Sequence, residues 1–254
     1  MVRLEEIIAF LDSTFNVANL EDFPNAFNGL QLANDGHVHK VVGAVDANPA
    51  SIERAIAQKA DLLCVHHGLY WNGVQPMVGT IYDLFRKAME ANLAIYSLHL
   101  PLDSHPQLGH NISIARQLNL KNVGCFCNYF QQNCGIICDA SSETVETLQQ
   151  RIKALFPNGH HALLYGPYSL NKIGIVSGSG GQDLLNEMVK CRIDTLITGE
   201  IRYSALSFAQ LHHLNIFACG HYATECFGVK NLVNLLQQQF QLPCEFLDFE
   251  GISL

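Results

Sequence analysis

Asp61-Leu62-Leu63-Cys64-Val65-His66-His67-Gly68 is an acid, four apolar residues, two histidines and a glycine. A short unbroken apolar run bounded by a charge and a glycine reads as a strand covered on both faces, as strands of a parallel sheet are. Lys40 to Asp46 reads as a second such strand, and Pro49 and Ala50 to Ala60 as the crossover helix between the two. Helical periodicity then places Ile81, Leu84, Phe85, Ala88 and Met89 on one side of Thr80 to Asn92, and Ala94 to Leu98 is the next strand. Strands alternating with helices predict an α/β architecture with mainly parallel pairing.

The same order returns downstream. Lys172 to Ser177 reads as a strand, Asp183 to Lys190 as its helix, Asp194-Thr195-Leu196-Ile197-Thr198-Gly199-Glu200 as the counterpart of Asp61 to His67, Tyr203 to His213 as a helix, and Ile216 onward as a strand. Glu200 then falls on His67. The apolar runs before His99 and His221 are each followed by a carboxylate four residues beyond the histidine, so His221 and Glu225 are expected to fall on His99 and Asp103. An internal repeat of this kind predicts two related α/β lobes with mixed, mainly parallel sheets facing a central cleft. The expected division is 1–124 and 125–254, with the C-terminal segment free to pack back on the first lobe.

Other segments frame this repeat. Leu4, Ile7, Ile8, Leu11 and Phe15 predict an opening helix. Residues 125–170 have no counterpart in the first half; they predict a strand near Gly135 to Cys138 and a helix from Glu143 to Phe156, ended by Pro157-Asn158-Gly159. A final helix over Leu232 to Phe240 and a closing run from Glu245 to Phe249 look structural.

The bulk composition narrows the setting. The 254 residues are 48% hydrophobic, ample for a buried core, and the formal charge is −8. That balance disfavours a nucleic-acid partner, which would need a basic surface, and suits a gatherer of divalent cations. No apolar stretch approaches the roughly 20 residues of a membrane span, and Met1 to Glu6 lacks a signal-peptide layout; a cytoplasmic protein with no membrane contact is expected. The nine cysteines include no Cys-x-x-Cys pair. Cys125-x-Cys127 and Cys134-x3-Cys138 read as free thiols rather than ligands, which fits a reducing compartment.

Imidazoles and carboxylates at several strand ends are how such a fold assembles a metal site. His66 and His67 are adjacent, so in a regular strand they point to opposite faces; a break at Gly68, or two ions, would let both ligate. Glu225, in the first turn of a helix starting near Tyr222, lies close to His221 and has two oxygens with which to bridge cations, although a carboxylate there also serves the helix dipole. Asp103 reads as a ligand or as an N-cap after Pro101. His99 could ligate, orient a ligand or shuttle a proton, and Glu200 could hold a histidine or act as a general base. All-nitrogen-and-oxygen ligation suits Zn, Fe or Mn. Ser177, Gly178, Gly180 and Gly181 lie between strand and helix, where backbone amides can cradle a phosphate. The pairs His160-His161 and His212-His213, with His37 and His39, read as surface histidines.

Phe27-Asn28-Gly29-Leu30-Gln31, Val65-His66-His67-Gly68-Leu69-Tyr70-Trp71, Leu98-His99-Leu100-Pro101-Leu102-Asp103, Ile197-Thr198-Gly199-Glu200 and Gly220-His221-Tyr222-Ala223-Thr224-Glu225, in that order, resemble the Nif3-like family, whose members are also called GTP cyclohydrolase 1 type 2 homologs. The resemblance implies a two-lobed protomer, a toroidal homohexamer built as a trimer of dimers, and two divalent ions per chain. It implies that His66 and His221 hold one ion, His67 and Asp103 the other, and that Glu225 bridges them. It further implies a hydrolase in which metal-activated water attacks C8 of GTP, with His99 or Glu200 moving protons and formate released. The same parts suit a phosphatase or phosphodiesterase acting on a small phosphorylated substrate. A non-catalytic metal-loaded scaffold or regulatory protein is the reading from another class.

Overall fold

In the computed structural model, which describes residues 1–249, the chain runs β1 (Val2–Arg3), α1 (Leu4–Thr14), β2 (Gly29–Leu32), β3 (His37–Val38), β4 (Val41–Asp46), α2 (Pro49–Ala57), β5 (Leu62–His67), α3 (Gly79–Glu90), β6 (Ala94–Ser97), α4 (Leu100–Asp103) and α5 (His110–Gln117). It continues through β7 (Lys121–Tyr129), β8 (Gln132–Asp139), α6 (Val145–Leu155), β9 (His161–Leu164), β10 (Lys172–Ser179), α7 (Gln182–Lys190), β11 (Thr195–Glu200), α8 (Ala205–His212), β12 (Asn215–Ala218), α9 (His221–Phe240) and β13 (Cys244–Phe246). Two compact units result. One is Met1–His105 with Gly228–Phe249, and the other is Pro106–Phe227. The boundary expected after residue 124 lies inside β7, whereas the units divide before α5 and within α9.

In the first unit β13, β4, β5 and β6 run parallel, with β2 antiparallel on β6. Every residue of β5 is buried, as its unbroken apolar run requires. Val42, Ala44, Leu63, Val65 and Ile95 pack with Ile52 and Ala55 of α2; full burial of each such aliphatic side chain stabilises by about 1.5–3 kcal/mol. Gly43 is a point of close approach: a Cβ there would stand 2.4 Å from Val233 of α9.

In the second unit β10, β11 and β12 are parallel, β9 is antiparallel on β12, and the β7–β8 hairpin is antiparallel on β10. Leu148 and Ile152 of α6 join Ile173, Ile175, Ile197 and Phe217 in one core. Leu184, Leu185 and Met188 of α7 join Val176, Leu196 and Ile216 in another.

The repeat is real and extends to polar detail. Each sheet centres on three consecutive parallel strands with an antiparallel strand beside the third. Asp61 accepts the backbone N–H groups of His39 and Lys40 at 2.6 and 3.0 Å; Asp194 accepts those of Asn171 and Lys172 at 2.9 and 3.3 Å. The two ladders also fix the equivalence beyond the third strand. Leu62 pairs with Ala94, and Thr195 with Asn215; Leu98 donates to Val65 O, and Cys219 to Thr198 O. His99 is therefore equivalent to Gly220, and Asp103 to Thr224, so the expected match of His99 with His221 and Asp103 with Glu225 is one residue out of register.

Several elements differ from expectation. The final helix is not separate: Leu232 to Phe240 is the end of the 20-residue α9, which begins at His221. Its first half buries Thr224, Glu225 and Cys226 together, and so shows no one-sided apolar period. The strands β7 and β9 went unread because most of their residues are exposed or half-buried. No helix among the described residues is long and apolar enough to cross a membrane.

Candidate metal centre

The first unit gathers three histidines. Strand β5 stays in register through His67, which pairs with Asp46, so no break at Gly68 is needed. The two rings nevertheless lie 4.6 Å apart, because each is tethered at Nδ1. His66 Nδ1 donates to Leu98 O at 2.9 Å, and His67 Nδ1 to Asp46 Oδ1 at 2.9 Å. His99 Nδ1 lies 2.8 Å from Asp22 Oδ1. Carbonyl and carboxylate oxygens only accept, so each ring donates from Nδ1, and in the neutral ring this leaves the lone pair on Nε2, the arrangement that orients metal-binding imidazoles. Ligand atoms of these three histidines lie within 4.8 Å of one another. Asp103 Oδ2 stands 3.7 Å from His66 Nε2. Asp103 closes α4 rather than opening it, which removes the N-cap reading; Pro101 sits in the first turn of that short helix.

The tether on His99 is elaborate. Asp22, its side chain only 6% exposed, accepts from Phe23 N (2.6 Å), Asn28 Nδ2 (2.7 Å), Leu100 N (2.8 Å) and His99 Nδ1 (2.8 Å). Burial alone would raise its carboxyl pKa, but the hydrogen bond from His99, with those from Asn28 and Leu100 N, holds it below the usual carboxylate range. Asn28 also accepts from His99 N at 2.7 Å. Gln31 accepts from Leu69 N at 2.6 Å, and a Cβ on Gly68 would meet the Gln31 amide at 2.2 Å. The Phe27–Gln31 stretch thus acts by bracing the loops that carry the histidines. Trp71 stacks on His67 with centroids 4.7 Å apart.

The second unit contributes a smaller group. His221, the first residue of α9, faces Glu225 one turn on, with Nε2 3.1 Å from Oε1. Its Nδ1 lies 3.0 Å from Glu200 Oε1 at the end of β11. Burial would lower the imidazole pKa, but Glu225 and then Glu200 raise it to about 9. Gly178 makes this pair possible. At φ +62° it passes so close that a Cβ would sit 2.1 Å from Glu225 Oε1 and 3.1 Å from His221 Nε2. Its N–H donates to Thr224 Oγ1 at 3.0 Å, and Ser177 N donates to Asn111 Oδ1 at 2.7 Å. Of the four residues expected to cradle a phosphate, Ser177, Gly178, Gly180 and Gly181, the first two have their amides committed within the unit.

The donor set fits a divalent ion of the Zn, Fe or Mn kind: imidazole nitrogens with their protons disposed of elsewhere, and carboxylate oxygens. None of the nine cysteines is joined in a disulfide, and among the described residues none joins a metal-binding group. His37, His39, His161, His212 and His213 are exposed, and His160 is half-buried. Asp46 and Asp22 were missed by sequence reading. Asp46 is the ladder neighbour of His67 and could be found by registering the two strands; Asp22 lies in no regular element and carries no such signal.

An α/β chain whose strand ends carry such groups is of a class able to bind metal. The family model for Duf34/NIF3 (NGG1p interacting factor 3) matches residues 2–251, and the chain belongs to this family. It is 32% identical over 249 residues to a Pyrococcus horikoshii protein called GTP cyclohydrolase 1 type 2 homolog, covering 96% of this chain and 97% of that one. It is 35% identical to a Borreliella burgdorferi protein of the same name, over 93% and 94% of the two chains. Among solved structures, ybgI, a protein of unknown function, superposes with a TM-score of 0.89 at 27% identity over 99% of this chain and all of that one. A Thermus thermophilus protein does so at 0.85 and 31% identity, over 99% and 100% of the two chains.

Proposed function

We propose that this chain is a dinuclear metal-dependent hydrolase acting on a nucleotide, with GTP as substrate. The supporting observation is the tethering of its histidines: His66, His67 and His99 each lie within hydrogen-bond distance of a fixed oxygen at Nδ1, which leaves Nε2 of the neutral ring available to a metal or a proton. The relatives named GTP cyclohydrolase 1 type 2 homolog supply the substrate. In this reading His66, His67, Asp103, His221 and Glu225 would hold two divalent ions per chain. The ions would supply Lewis acidity that activates water near neutral pH.

The chain's own residues do the rest. Water attacks C8 of the guanine ring, and His99 Nε2, oriented through Asp22, takes up its proton. The same proton returns to a ring nitrogen as the first C8–N bond breaks to leave a formamide. A second water, its proton passed the same way, breaks the remaining C8–N bond so that formate leaves. Glu200 acts by orienting His221 through Nδ1 rather than as the base. The reading extends to a cytoplasmic, toroidal homohexamer built as a trimer of dimers. The phosphoesterase alternative loses support, because Ser177 and Gly178 spend their amides within their own unit.

The test uses protein purified without added metal or nickel resin. Elemental analysis is expected to give two ions per chain, and the metal-loaded protein to release formate from GTP. If it turns over neither GTP nor a panel of phosphoesters, the hydrolase reading falls. If His221→Ala and Glu225→Ala both retain two ions, the ligand assignment falls.

A further inference from the structure

The β7–β8 hairpin carries a cysteine on each strand at matching positions, Cys127 and Cys134. Phe126 pairs with Gly135 and Asn128 with Asn133, so Cys127 and Cys134 lie on the two strands between the same two ladder pairs. Both side chains are buried, at 4% and 5% exposure. Opposed residues of an antiparallel pair have Cα atoms about 4.5–5.5 Å apart, inside the roughly 4.4–6.8 Å a disulfide spans. The other two cysteines of the hairpin have no such partner, since Cys125 faces Ile136 and Cys138 faces Asn122.

The surroundings give this pair a route to solvent. Cys127 takes a left-handed φ of +57° inside its strand, which distorts the ladder at that thiol. It lines a pocket of about 440 Å³ together with Tyr129, Asp183, Glu187 and Lys190. Disulfides across adjacent strands are strained, and strained disulfides are the readily reduced kind.

We infer that Cys127 and Cys134 form a dithiol site that exchanges with low-molecular-weight disulfides. Cys127, its proton given to water, attacks one sulfur of the small disulfide. The S–S bond breaks, and one thiolate leaves and takes a proton. Cys134 then loses its proton and attacks the Cys127 sulfur, expelling the second thiol. Two protein thiols are oxidised and one small disulfide is reduced to two thiols. The site is independent of the proposed hydrolase reading.

Oxidised glutathione is the probe, applied to the full chain without air. Chymotrypsin cuts after Phe126, Tyr129 and Phe130, so it separates Cys125, Cys127 and Cys134 onto different peptides. The expected result is loss of two of the nine free thiols and a linked Cys127–Cys134 peptide pair that dithiothreitol dissolves. Cys134→Ser is expected to trap glutathione on Cys127. Glutathione confined to Cys125, or a stable adduct on Cys127 in the unsubstituted chain, overturns the inference.

Discussion

Asp22→Asn tests the orientation of His99 most directly. The carboxylate receives two donors on each oxygen: Phe23 N and His99 Nδ1 on Oδ1, Asn28 Nδ2 and Leu100 N on Oδ2. An amide nitrogen in the Oδ2 position would confront two donors that cannot reverse. In the Oδ1 position it confronts Phe23 N, but His99 can answer by moving its proton to Nε2. The variant therefore loses one backbone hydrogen bond and its charge assistance, a cost of about 1.5–3 kcal/mol. It also removes the Nε2 lone pair, leaving His99 in the wrong tautomer for a base. Denaturant unfolding of both proteins measures the first effect, and nitrogen-15 imidazole spectra the second. The pH dependence has a fixed sign. The folded pKa of Asp22 is depressed below 3.8, so its stabilisation is complete above the unfolded value and is lost as pH falls through the folded one. The gap between the two proteins should be constant above about pH 4 and close below it. A stability change under about 0.5 kcal/mol with His99 still protonated on Nδ1 would refute the reasoning.

Three further outcomes follow from the same geometry. Gly178→Ala forces a β-carbon to 2.1 Å from Glu225 Oε1 and adds about 1–2 kcal/mol of left-handed strain; metal retained after dialysis should fall while the fold persists, and unchanged content would sink the idea. Asp61→Ala and Asp194→Ala each strand two backbone N–H groups, so denaturant midpoints should report similar losses of about 1–3 kcal/mol; an effect at one site alone would deny their equivalence. In metal-free protein the His221 pKa is raised from 6.5 to about 9, so its stabilisation is complete below the lower value and lost as pH rises through the upper one. Thermal unfolding from pH 6 to 10 reads this, and His221→Gln should flatten that slope.

Much of the fold was legible because buried parallel strands announce themselves. Leu62 to Val65 and Leu196 to Ile197 are wholly enclosed, and nothing polar interrupts them. The β7–β8 hairpin was opaque for the opposite reason. Its turn residues, Phe130 and Gln131, both adopt positive φ at +48° and +62° without the Asn-Gly or Asp-Gly signal that such turns ordinarily carry. The candidate ligands were legible as residue types at strand ends. Their tethers were not, because a tether is a tertiary fact: Leu98 reaches His66, and Asp22 reaches His99, only once strands and loops have packed.

The one-residue slip in the repeat bears on chemistry. His221 begins a helix, so Glu225 lies one turn along the same face and the two side chains meet as an i,i+4 pair. His99 precedes its helix, at φ −98° and ψ −107°, and the carboxylate it meets is Asp22, from elsewhere in the chain. Asp103 is left to approach His66 instead. Two copies of one spacing in the sequence thus produce unlike surroundings: a histidine braced by two carboxylates in one unit, and three imidazoles sharing a space in the other. A duplicated motif kept in register would have produced twin sites with the same chemistry. The slip separates the surroundings, leaving His99 tethered at Nδ1 by Asp22, while His221 has carboxylates at both nitrogens.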